Sequence, residues 1–227
     1  MKLLFRSDED GRQVRVIERR WDGARLYYED GALYTHVDAE GANLLRYITE
    51  MDRALEDTKN VLLLGTAGGA LATQLSRRGA RVTTVDNWSM TFEIARRWFR
   101  LPPQVECVHA DAMQFLRSTS RRWDAIAVDV FRGVEIPESM LASDIGALLT
   151  QVLTPGGLIV WNVADSPQSW PTQWISKALR LAGYETRLVS VLEDDAGNTL
   201  VVSRQTPAPN GETETALGPE VAKTPVA

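Results

Sequence analysis

The residues with the clearest chemical potential lie in one segment, 61–86, which reads VLLLGTAGGALATQLSRRGARVTTVD. An apolar run meets a turn of small residues, Gly65, Thr66, Ala67, Gly68 and Gly69, and a helical pattern then leads to a second apolar run ending in Asp86. A turn without bulky side chains lets the backbone come close to a nucleotide-like ligand. An acid about 20 residues further on can accept hydrogen bonds from both ribose hydroxyls, and it would repel a 2′-phosphate. The glycine pattern is G-x-x-G-G-A and does not match the G-x-G-x-x-G of dinucleotide sites. Two plainer readings compete: a tight strand-to-helix turn with no ligand, and a capping role for Asp86 at a helix beginning near Trp88 and Ser89. Asn87, next to Asp86, shares the expected cofactor contact.

Two further acids end apolar runs. Asp111, followed by Ala112 in HADAMQFL, is placed to meet an adenine amino group if its strand end faces the same crevice, or to cap the helix that follows. Asp129 closes WDAIAVD, and catalytic groups collect at such strand ends. A carboxylate there can orient an attacking amine or take its proton, and can offset its positive charge beforehand. A loop-capping acid is the alternative. His109 reads as a satisfied strand-end histidine. Tyr27, Tyr28, Tyr34 and His36 read as cross-strand packing or as the roof of a pocket, and Trp161, Trp170 and Trp174 as core or rim.

These residues need elements to hold them. Residues 13–34 read as short strands, with Glu29, Asp30 and Gly31 forming a hairpin turn between aromatic runs. A helix follows, with apolar positions at Leu44, Leu45, Tyr47, Ile48 and Met51. Beyond residue 60, strand-like runs at 61–64, 82–85, 105–109, 125–128 and 158–163 alternate with helical patterns at 70–78, 90–99, 112–117 and 140–153. Such alternation specifies a parallel sheet covered on both faces by helices. A helix over 174–181 then gives way to strands at 185–192 and 199–204, joined by a turn containing Asp194, Asp195 and Gly197. The expected fold is α/β: a doubly wound, mostly parallel seven-stranded sheet with a small N-terminal β unit and a C-terminal antiparallel hairpin. The expected division is a β-hairpin unit with its connecting helix over 1–50, a cofactor-binding domain over 51–204, and a disordered tail over 205–227, which is rich in Pro, Thr, Glu and Ala and has no aromatic residue.

A net charge of −5 argues against nucleic acid as the main partner, because phosphate binding needs a basic footprint. Cys107 is the only cysteine, which leaves no intrachain disulfide and no thiolate metal cluster; it reads as a small packed hydrophobe, and no metal site is expected. The N-terminal apolar core is too short for a signal peptide and no run reaches membrane-spanning length, so the expected location is the cytoplasm, with no membrane partner.

The layout and several motifs resemble the spermidine synthase (polyamine aminopropyltransferase) family within the class I S-adenosylmethionine-dependent fold. The resemblance covers roughly residues 15–204. YYEDGALY is similar to that family's hairpin carrying L-D-G-x-x-Q, DAMQFL to its D-A-x-x-[FY]-[LI], WDAIAVD to its Y-D-[VI]-I-[IV]-D, and LTPGGLIVWN completes the order. The resemblance implies transfer of an alkyl group, aminopropyl or methyl, from S-adenosylmethionine or its decarboxylated form to an amine-like nucleophile. The implied partner is a small-molecule substrate such as a polyamine. Asp86 would bind ribose, Asp111 adenine, and Asp129 would be catalytic; the N-terminal β unit would be the surface of a homodimer.

The departures from the family are specific. Gly68 stands where spermidine synthases carry the acid that holds the aminopropyl amine. The family's D-S-S-D-P becomes Asp129, Val130, Phe131, Arg132, which puts a cation where a polyamine-contacting acid is expected. Tyr34 replaces the hairpin glutamine, so Tyr34, Phe131 and Arg132 become the substrate-side candidates, with Arg132 able to meet an anionic group. A methyltransferase acting on another acceptor, and a non-catalytic nucleoside-binding protein that kept the fold, are the alternatives. An NAD-dependent enzyme lacks its glycine motif here.

Overall fold

A computed structural model describes residues 1–9, 11–193 and 196–205. A four-stranded antiparallel sheet comes first, in the order β1 (Lys2–Glu9), β2 (Arg12–Glu18), β3 (Arg25–Glu29), β4 (Ala32–Val37). Strand β1 precedes the first strand expected from the sequence. It is an edge strand whose side chains are exposed or half-buried, so it lacks the alternation that marks a strand with one buried face.

Helix α1 (Arg46–Ala54) leads into the second sheet. Leu44, expected on the helix, lies before it and is exposed, because the turn begins only after Leu45. The second sheet contains β5 (Asn60–Leu64), β6 (Arg81–Asp86), β7 (Glu106–His109), β8 (Trp123–Val128), β9 (Leu153–Val163), β10 (Tyr184–Glu193) and β11 (Ala196–Gln205). Their spatial order is β10-β11-β9-β8-β5-β6-β7, with β11 antiparallel to both of its neighbours and the other pairings parallel. Helices α2 (Ala70–Arg77), α3 (Met90–Phe99), α4 (Ala112–Ser118), α5 (Ile145–Gln151) and α6 (Trp170–Leu181) provide the crossovers.

Alternation along the central strands shows why both faces are covered. Val61 and Leu63 of β5 enter one core with Leu71 and Leu75 of α2, while Leu62 and Leu64 enter the other with Ile145 and Leu149 of α5. Val14, Val16 and Tyr27 of the small sheet join the first of these cores, where Tyr27 meets Phe99 edge-on at 6.3 Å between centroids. The N-terminal sheet is thereby packed onto the larger one.

The continuous helix expected over 140–153 is instead two pieces. A short 3-10 helix (Glu138–Leu141) ends where Ala142 turns extended, α5 begins at Ile145, and Leu153 already belongs to β9. Helix α6 starts at Trp170, one turn before the expected 174, with proline in its first turn, where a missing N–H costs nothing. The turn residues Asp194 and Asp195 and the expected tail beyond Gln205 lie outside the described residues. The expected boundary between residues 50 and 51 falls inside α1. No helix among the described residues is long and apolar enough to cross a membrane.

Chain direction along the sheet reverses at β5: β6 and β7 lie to one side, β8 and β9 to the other. The carboxyl ends of β5, β6 and β8 therefore open onto one crevice, the place where open α/β sheets bind ligands.

Candidate active site

The turn after β5 is shaped by how closely two strand ends approach. Gly65 has φ +87°, and a β-carbon there would lie 2.1 Å from the carbonyl oxygen of Asp129, so no other residue fits. Its amide donates to the Val85 carbonyl at 2.9 Å, while the Asp129 amide donates to the Leu64 carbonyl at 2.8 Å. Ala67 also takes a positive φ, +47°. The amides of Thr66 and Trp88 donate to Asp86 Oδ2 and Oδ1, each at 3.0 Å, and the Thr66 and Thr84 hydroxyls meet at 2.6 Å. Asp86 thus ties the turn after β5 to the turn after β6. Burial raises its carboxyl above the usual range, against the pull of those amides and of Arg12. A carboxylate offers about four acceptor sites, so ribose hydroxyls can share it with the backbone.

A cavity of about 460 Å³ opens above these strand ends, within the size range of small-molecule and cofactor sites. Gly65, Thr66, Ala67, Asp86, Asn87, Asp111 and Ala112 line it, together with Asp129, Phe131, Arg132 and Tyr34. Gly68 and Gly69 do not line it. Gly68 is buried under Thr35 of β4, and Gly69, at φ +75°, starts α2 against Leu101. Asp111 is exposed at the rim and caps α4, accepting from the Gln114 amide at 2.9 Å. His109 lies beside the Asn87 carbonyl at 3.2 Å.

Asp129 follows directly on β8. Its Oδ1 accepts from Asn162 Nδ2 at 2.8 Å, and Asn162 Oδ1 in turn accepts from Asn198 Nδ2 at 3.0 Å. Burial pushes the Asp129 carboxyl up to about 6, a rise that the Asn162 hydrogen bond partly offsets. An acid so tuned is ionised near neutral pH yet is a stronger proton acceptor than an ordinary aspartate.

The small sheet roofs this cavity with residues whose sequence positions indicate only a turn or carry no local signal. Glu29 and Asp30 of the β3–β4 hairpin and Arg12 of β2 all line it. Arg12 Nη1 lies 3.3 Å from Glu29 Oε1, its Nη2 donates to Asn87 Oδ1 at 2.9 Å, and its guanidinium sits 5.4 Å from the centre of the Trp88 ring. Glu29 is 4% exposed and also accepts from the Tyr27 hydroxyl at 3.2 Å. Burial, with Asp86 nearby, lifts its carboxyl to about 7 although Arg12 draws it down. Tyr34 stacks on Tyr27 and donates its hydroxyl to the Gly133 carbonyl at 2.7 Å, and burial pushes its phenol well up. His36 and Tyr28 are not in the lining. Trp161 is core, while Trp170 is exposed and lies tilted against Trp174, with 6.5 Å between ring centroids.

Asn162 had a local signal, a buried amide in the apolar strand LIVWNV. Arg12 had none, because its partner Asn87 lies 75 residues away.

Residues 62–161 match the family model described as a methyltransferase domain. The polyamine aminopropyltransferase of Chromobacterium violaceum is 27% identical over 159 residues, covering 67% of this chain and 60% of that protein, so the chain spans less than two thirds of that relative. Among solved structures, a probable spermidine synthase from Corynebacterium glutamicum superposes with a TM-score of 0.74 at 18% identity, covering 94% of this chain and 84% of the other. Spermidine synthase from Thermotoga maritima gives 0.73 at 15% identity, with 92% and 75% covered.

Proposed function

We propose that this chain, which has the class I methyltransferase fold in its spermidine-synthase-like form, transfers an alkyl group from an S-adenosylmethionine-type cofactor to an amine-like nucleophile on a small molecule. One observation carries the reading. The small-residue turn at Gly65, the Asp86 carboxylate and the Asp129 carboxyl face a single cavity at the point where the strand order reverses. The names of the relatives support a transferase of this kind.

The residues present suit such a cofactor. Asp86 retains acceptor capacity for ribose hydroxyls, Asn87, Asp111 and Ala112 border the adenine end, and the wall from Gly65 to Ala67 has no long side chain. When bound, the sulfonium supplies an electrophilic carbon and a neutral thioether leaving group. Asp129 accepts the proton of the attacking amine, and Asn162 holds the carboxylate toward the cavity. Displacement at carbon depends chiefly on alignment and proximity, so one such group is enough.

Asp129→Asn should lower turnover by about a hundredfold or more. The assay is mass-spectrometric detection of S-adenosylhomocysteine or methylthioadenosine, with S-adenosylmethionine or its decarboxylated form and a panel of amines including putrescine. An unchanged rate would remove Asp129 from the chemistry. Binding of both thioethers without turnover of any amine would leave a nucleoside-binding protein.

A further inference from the structure

Seven charged residues line the cavity, and six of them are already committed. Arg12 and Glu29 face each other, and Asp30 Oδ1 accepts from the Gln13 amide at 2.8 Å. Asp86, Asp111 and Asp129 each accept from an amide group named above. Arg132 is the exception: among the described residues no side chain or carbonyl is hydrogen-bonded or ion-paired to its guanidinium.

The backbone that carries Arg132 is fixed all the same. Its amide donates to the Glu135 carbonyl at 2.9 Å and its carbonyl accepts from the Glu135 amide at 3.2 Å. Between them, Gly133 is tied to Tyr34. The Arg132 side chain is exposed where it lines the cavity, and a β-carbon on Gly11 would lie 3.6 Å from its Nη2. A fixed backbone carrying one uncommitted cation at a ligand cavity is an arrangement for recognising an anion, since guanidinium matches a carboxylate in shape as well as charge.

We infer that Arg132 binds a carboxylate of the molecule held in the cavity, so that the site accepts an acidic or zwitterionic ligand where a polyamine would present a second ammonium. This rests on the proposed transfer from a sulfonium cofactor. The carboxylate has two sources: the methionine end of the cofactor, or an acceptor that carries both an amine and an acid. None of the carboxylates that line the cavity is paired with Arg132 among the described residues.

Calorimetric titration of the wild-type protein, Arg132→Gln and Arg132→Lys separates the sources. The first arm compares S-adenosylhomocysteine with methylthioadenosine, which lacks the amino-acid end. The second titrates 4-aminobutyrate and putrescine, which differ in one terminal group, into protein saturated with S-adenosylhomocysteine. A carboxylate held by Arg132 should be worth about tenfold or more in affinity. That preference should be lost in Arg132→Gln and partly kept in Arg132→Lys. Its appearance in the first arm assigns the cofactor's carboxylate, and in the second the acceptor's. Preference for putrescine over 4-aminobutyrate without any S-adenosylhomocysteine preference would overturn the inference. So would methylthioadenosine binding with no dependence on Arg132 in either arm. Failure of wild-type protein to bind either thioether would instead sink the cofactor reading itself.

Discussion

Thr35 Oγ1 accepts the amide hydrogen of Gly68 at 2.9 Å, and a β-carbon on Gly68 would lie 2.8 Å from Thr35 Cγ2. The roof strand β4 and the glycine turn are therefore in direct contact at Gly68, where the resemblance to spermidine synthases implies an acid. Gly68→Asp should overpack this contact and destabilise the protein by about 1–3 kcal/mol, without creating an amine site. Thermal unfolding of the variant checks the first point, and titration with decarboxylated S-adenosylmethionine the second. A fully stable Gly68→Asp that gains affinity for that ligand would contradict the packing argument.

Gly65 is the more severe case. Its positive φ and the 2.1 Å approach of a β-carbon to the Asp129 carbonyl leave no room for adjustment within two hydrogen-bonded strand ends. Gly65→Ala should cost about 3–5 kcal/mol, read as a lowered urea midpoint with an unchanged slope.

Asp129 should trade stability for reactivity. A carboxyl raised from 3.8 to about 6 holds its proton more tightly in the folded protein than in the unfolded one. Stability from this group is thus greatest below pH 3.8 and is lost as pH rises through about 6, a difference of about 3 kcal/mol. Asp129→Asn keeps an oxygen for Asn162 and carries no such penalty. Its unfolding temperature should exceed the wild type's at pH 7.5 and lose that advantage below pH 4, while turnover falls.

Glu29 makes a separate contribution to the same pH profile. Its carboxyl, raised from 4.5 to about 7, weakens the fold progressively as pH climbs between those values. Glu29→Gln retains an acceptor for the Tyr27 hydroxyl, so its stability relative to wild type should grow from about pH 4.5 to about pH 7 and then level off. A constant difference across that range would mean that Arg12 keeps Glu29 ionised throughout.

Much of the architecture is legible in the sequence because the central strands are buried on both faces. Runs such as VLLL in β5 and AIAV in β8 have no polar side to lose, and each is followed by a short turn and a helical period. Strand β1 carries exposed charges on an edge and gives no such pattern. The floor of the cavity is also legible, since Gly65, Asp86 and Asp129 follow directly from strand ends. Its roof is not. Arg12, Glu29 and Asp30 reach the cavity only because the small sheet packs back onto α3, and contacts between residues so far apart in the chain leave no local period to read. Glu29 and Asp30 were hidden for a second reason: acids at a hairpin turn already satisfy the turn chemistry.

Native mass spectrometry of the protein with added S-adenosylhomocysteine or methylthioadenosine tests the central claim most directly. The expected result is saturable addition of one thioether per chain, weakened about tenfold or more by Asp86→Asn, which leaves the ribose hydroxyls one fewer charged acceptor. Wild-type protein that remains free of either thioether at millimolar concentration would contradict it.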